Sequence, residues 1–88
     1  MPFDIGWTAT AQRALVKLPE KVASAVIEFC YGPLADNPSR VGKALRPELE
    51  GLHSARRGDF RIIYRISEAQ SRVVIVAIEH RGDVYGQR

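Results

Sequence analysis

The order of hydrophobic periodicities along this chain predicts an α+β fold, with two N-terminal helices packed on a small, mostly antiparallel β-sheet in the order βααβββ. Three observations predict it. Residues 8–30 carry two apolar stripes at helical spacing separated by a proline. Residues 52–66 hold two strand-like runs joined by Gly58-Asp59, the signal of a tight hairpin. Residues 73–78 (VVIVAI) form an unbroken apolar run of strand length. A chain of 88 residues makes one domain, residues 1–88. At that size folding buries only about 60–65% of the unfolded surface, so stability is modest.

Phe3, Ile5 and Trp7 alternate with Asp4 and Gly6, as in a half-buried strand. Thr8 can cap a helix whose inner face is Ala11, Leu15 and Leu18 and whose outer face carries Gln12, Arg13 and Lys17. Pro19 stops that helix and opens a second, with the stripe Val22, Ala25, Val26, Phe29 and Cys30, so the two helices are expected to pair antiparallel. Gly32-Pro33 and Asn37-Pro38 are expected to break the second helix. Residues 37–50 then read as a loop or a short helical segment around 44–49. Arg40, Lys43 and Arg46 on it are either solvated or extend a basic surface.

The hairpin follows. A two-residue II′ loop at Gly58-Asp59 sets Arg57 opposite Phe60, Arg56 opposite Arg61 and Ser54 opposite Ile63. Period two then puts Phe60, Ile62, Tyr64 and Ile66 toward a core and Arg61, Ile63 and Arg65 on the other face. Opposed Arg56 and Arg61 with no acid between them repel by up to about 1 kcal/mol. The face is therefore either a phosphate or nucleic-acid site or a solvated basic surface whose Arg stems cover apolar area. Residues 67–72 make a polar turn. The run 73–78 reads as a central strand covered on both faces, with Val73, Ile75, Ala77, Glu79 and Arg81 on one side and Val74, Val76, Ile78 and His80 on the other. The tail, residues 82–88, is too short for a helix, so Tyr85 either packs on the sheet or stacks on a partner's base.

Composition narrows the classes. Hydrophobic content of 45% with 26% charged residues is that of an ordinary globular chain, and no apolar run approaches a membrane span. The first residues lack the basic and apolar regions of a signal peptide, which predicts a cytoplasmic protein. One cysteine, Cys30, excludes an internal disulfide and falls in the helical core stripe. No spacing of His, Cys and acids suits a metal, and no cofactor is expected. The formal charge is +3, but residues 1–50 balance six basic against six acidic side chains, whereas residues 51–88 hold seven arginines against four acids. The cationic excess belongs to the C-terminal strands, which suits an RNA, DNA or acidic protein partner.

The segments L-x-G-L-H-S-A-R-R-G-D-F-R-I-I-Y-R-I and V-V-I-V-A-I-E-H-R-G-D-V-Y, with T-A-T-A-Q-R-A-L-V-K-L-P near the start, cover nearly the whole chain and resemble the RelE/ParE toxin superfamily, in particular its actinobacterial RelE type. The resemblance implies a toxin of a type II toxin-antitoxin system, a ribosome-dependent endoribonuclease that cuts mRNA in the ribosomal A site. A cognate RelB-type antitoxin would neutralise it in a hetero-oligomeric complex, with no membrane involved. It also implies roles. Arg61 would contact the scissile phosphate, Arg81 would protonate or stabilise the leaving oxygen, and Tyr85 would stack on the substrate. Arg56 would fill one of two basic positions on the preceding strand. Ser54 stands at the other, which leaves the general base open. Lys43, Arg46, Arg57 and Arg65 become the expected RNA and ribosome contacts, while His53 and His80 are expected to be structural. Gyrase-poisoning ParE toxins share much of this pattern and supply the alternative activity.

Overall fold

The computed structural model describes residues 2–45 and 51–80. Along the chain run β1 (Asp4–Trp7), α1 (Ala9–Lys17), α2 (Glu20–Phe29), a π-helical turn (Cys30–Leu34), α3 (Pro38–Val41), β2 (Lys43–Ala44), β3 (Leu52–Arg57), β4 (Phe60–Ser67) and β5 (Arg72–His80). The strands form one five-stranded sheet in the order β1-β5-β4-β3-β2. Among the described residues the β1–β5 pairing is parallel and the others are antiparallel. The helices cover one face, so the expected α+β class holds, with a third short helix and a fifth strand added. Among the described residues no helix is long and apolar enough to cross a membrane.

Several expectations are corrected. Gly32-Pro33 does not end the second helix, which widens into the π turn with Pro33 inside it. A wider turn relaxes the α-helical ladder where proline has no N–H to give. Continuation is favoured because Cys30, Leu34 and Ala35 all become buried there, and the Phe3 N–H bonds the Ala35 carbonyl at 2.8 Å. The linker after Asn37 makes α3 and β2 instead of a plain loop or a helix around 44–49. β4, not β5, is the middle strand, and the helices cover β5 on one face instead of two.

The hairpin register is as expected, with Arg57↔Phe60, Arg56↔Arg61 and Ser54↔Ile63. Gly58 has φ +59°, and Ser71 is the only described non-glycine residue with positive φ. Asp59 is thus not left-handed, and the loop has the II′ pattern of a positive φ at its first central residue.

β5 departs from regular alternation. Ile63 pairs with Ala77 but Tyr64 pairs with Ile75, leaving Val76 as a bulge. Before the bulge Val73 and Ile75 face the helices, fully buried; after it Ile78 and His80 do, paired with Ile62 and Phe60. Ala77 and Glu79 therefore lie on the opposite face from Val73 and Ile75, against the expected grouping. Thr8 braces this step. Its hydroxyl donates to the Val76 carbonyl at 2.8 Å and accepts from the Ala11 N–H at 3.1 Å, so one side chain caps α1 and satisfies the bulge.

The core joins Ala11, Val26, Phe29, Cys30 and Leu34 to Ala55, Ile62, Tyr64, Val73 and Ile75. Burial pushes the Cys30 thiol up to about 12, in keeping with a packing role. Tyr64 is fully buried, and its hydroxyl donates to the Pro38 carbonyl at 2.7 Å, which ties α3 to β4. Burial raises that phenol to about 12 as well. A side chain at Gly42 would run into the Tyr64 hydroxyl and the Ser54 carbonyl, so glycine lets β2 close against β3.

Candidate functional site

The helix-free face gathers charge by cross-strand pairing. Directly opposed residues share a face, so Lys43, Ser54, Ile63 and Ala77 form one row across β2, β3, β4 and β5. Arg56, Arg61 and Glu79 form the next row, about 7 Å further along the strands. Arg40, from α3, reaches the same place. Arg40, Lys43, Arg56 and Arg61 line an open cleft of about 530 Å³, together with Ser54, Ala55, Val41 and Gly42. Those four cations are all exposed.

An acid does stand beside these arginines, contrary to the expectation of an uncompensated pair. Arg61 Nη2 meets Glu79 Oε1 at 2.7 Å, and the bulge at Val76 is what turns Glu79 to this face. The partners remain 49% and 38% exposed, so the ion pair contributes little to stability and stays open to competition by another anion.

The other sequence candidates disperse. Arg57 points to the helix side, its guanidinium 4.8 Å from the centroid of the Phe29 ring, a cation–π contact on the opposite face from Arg56 and Arg61. Arg65 lies on the helix-free face but four residues along β4 from Arg61, about 13 Å away by strand rise. Arg46, Arg81 and Tyr85 lie outside the described residues. Both histidines face the helices. His53 stacks on Tyr64 with centroids 5.7 Å apart, and His80 packs on Phe60 at 4.6 Å, both structural ring contacts. Arg40, which the sequence left as either solvated or part of a basic surface, lines the cleft, and the bond from Tyr64 to Pro38 ties down the helix that carries it.

Among the described residues, the cleft offers guanidinium and ammonium donors around one hydroxyl, Ser54, with no imidazole or carboxylate in its lining. Fixed N–H donors of this kind bind phosphate oxygens, bidentately from arginine, and stabilise charge that develops on them. They are poor proton carriers, since the guanidinium stays protonated up to a pKa above about 12.

Known proteins resemble this chain over nearly its whole length. Residues 5–85 match the family described as the ParE toxin of the type II toxin-antitoxin system parDE. The toxin RelE of Mycobacterium tuberculosis is 54% identical over 84 residues, which cover 96% of this chain and 87% of that protein. The toxin RelG of the same organism is 49% identical, covering 97% of this chain and 98% of that one. Among solved structures, the M. tuberculosis toxin-antitoxin complex RelBE2 has a chain that superposes with a TM-score of 0.86 at 48% identity, covering 92% of this chain and 100% of that chain. The isolated E. coli RelE toxin shares the fold, with a TM-score of 0.75 at 15% identity and coverage of 96% and 92%. On the matched family and the extent of these identities, the chain belongs to the RelE/ParE family of toxins of type II toxin-antitoxin systems.

Proposed function

We propose that this toxin is an endoribonuclease that cuts mRNA in the ribosomal A site and so arrests translation in the cytoplasm. The observation that carries the reading is the convergence of Arg40, Lys43, Arg56 and Arg61 on one open cleft of a helix-free sheet face. The RNA 2′-OH would attack its own phosphate, and the developing charge on the phosphorane oxygens would fall among these donors. Each preorganised donor is worth about 3–4 kcal/mol when the site excludes water. The products would be a 2′,3′-cyclic phosphate and a 5′-OH, a route that needs no metal because the cationic side chains supply the charge.

Arg61 takes the scissile phosphate and Arg56 assists it from the facing strand. Arg81 serves the leaving oxygen and Tyr85 stacks on the codon. Arg40 and Lys43 line the same cleft beside Arg56 and Arg61, while Arg46, Arg57 and Arg65 contact RNA or ribosome more peripherally. Weak proton transfer makes positioning by the ribosome important, since orientation alone can lower a barrier by about 7–11 kcal/mol. A RelB-type antitoxin would neutralise the toxin by meeting these cations with acidic side chains, in a hetero-oligomeric complex; the RelBE2 structure, a toxin-antitoxin complex, supports that partner class.

Primer extension on programmed ribosomes tests the activity. The expected result is cleavage within the A-site codon, with little cutting of free RNA. The match to the ParE family supports a second reading, gyrase poisoning. Intact mRNA together with gyrase-linked double-strand breaks would establish it in place of the first.

A further inference from the structure

Glu79 is the acid that the sheet sets beside the basic cleft, and the cleavage chemistry makes no use of it. We propose that Glu79 is a positioning residue that competes with phosphate for Arg61, holding the guanidinium in its row and lowering the cleft's affinity for RNA that is not presented by a larger partner. The proposal rests on the RNA-directed reading of the cleft and adds a brake to it.

Arg61 sits between Arg56 on one neighbouring strand and Glu79 on the other, in a single cross-strand row. Left alone, the two guanidiniums would repel and Arg61 would swing outward. The carboxylate, 2.7 Å from Nη2, draws it toward β5 and occupies donor capacity that a phosphate oxygen would otherwise use. Its charge also subtracts from the field of the cleft. Both side chains are about half-exposed, so an incoming phosphate can displace the carboxylate without disturbing the sheet. A weak surface pair is suited to this: strong enough to bias a free side chain, and too weak to resist a phosphodiester that the ribosome holds in place.

The test compares wild type with Glu79→Gln, which keeps size and hydrogen-bonding capacity but removes the charge, for binding to a 2′-O-methylated single-stranded RNA hexamer. Losing an exposed ion pair should tighten binding by about two- to fivefold. Freeing one guanidinium for phosphate should also steepen the salt dependence, log K against log salt, by about 0.7. Both changes should vanish when Glu79→Gln is made in an Arg61→Ala background. Glu79→Thr repeats the measurement with a second neutral side chain, and circular dichroism checks each fold. Unchanged hexamer affinity overturns the proposal, as does an equal gain without Arg61, which would reveal a general charge effect. If wild type leaves mRNA on ribosomes intact while the Arg61-dependent gain persists, the ribonuclease reading falls and the Glu79 role stands.

Discussion

The two faces of the sheet are built from the same strands yet carry different burdens. On the helix-covered face Ile62, Tyr64, Val73 and Ile75 are fully buried and joined to the helices in one apolar cluster. On the other, Arg56, Arg61 and Lys43 are exposed and make a cleft. Alternation at every second residue lets adjacent positions serve opposite ends: Arg61 faces the cleft and Ile62 the core. Substitutions on the covered face should therefore change stability, and those on the open face should change anion binding and cleavage with the fold intact.

Ile62→Ala should weaken the covered face most strongly. Removing a fully buried branched side chain costs about 2–5 kcal/mol, a large share of the stability of so small a domain, and urea unfolding would read it. Tyr64→Phe keeps the ring but strands the buried Pro38 carbonyl, which costs about 1–3 kcal/mol and should loosen α3 and with it Arg40. That variant also separates the two faces by pH. Tyr64 is raised from 10 to about 12, so the folded state holds its proton longer than the unfolded chain does. The Tyr64 contribution to stability should be intact below pH 10 and be lost from there to about pH 12. Cys30, raised from 9 to about 12, adds to the fall from pH 9 upward. Thermal unfolding across this range should show a shallower decline in Tyr64→Phe than in wild type. Smallest is Thr8→Ala, which removes the α1 cap and the donor to the bulge for about 1 kcal/mol of stability. Because the bulge sets the face of Glu79, this variant should also alter the salt dependence of RNA binding.

The parts legible in the sequence were those fixed locally. A two-residue loop at Gly58-Asp59 determines the whole β3–β4 register, so the Arg56–Arg61 pairing followed from residue types alone. Residues whose placement depends on distant partners were not legible. Val73 to Ile78 is apolar at every position, so parity carries no signal where the bulge falls, and the Arg61–Glu79 contact stayed hidden. β2 has only Lys43 and Ala44, too few for a pattern, and is recruited by pairing with β3. Arg40 enters the cleft because a tyrosine 24 residues later holds the backbone of α3 from beneath.

The central residue of the open face is Arg61, an exposed side chain mid-strand whose loss leaves Ile62 and Tyr64 in place. Cleavage by Arg61→Ala on programmed ribosomes, with its urea midpoint measured alongside, is the most direct test. The open face should lose cleavage by about 100-fold or more while the midpoint stays at the wild-type value. Full cleavage by well-folded Arg61→Ala would contradict the assignment of function to this face.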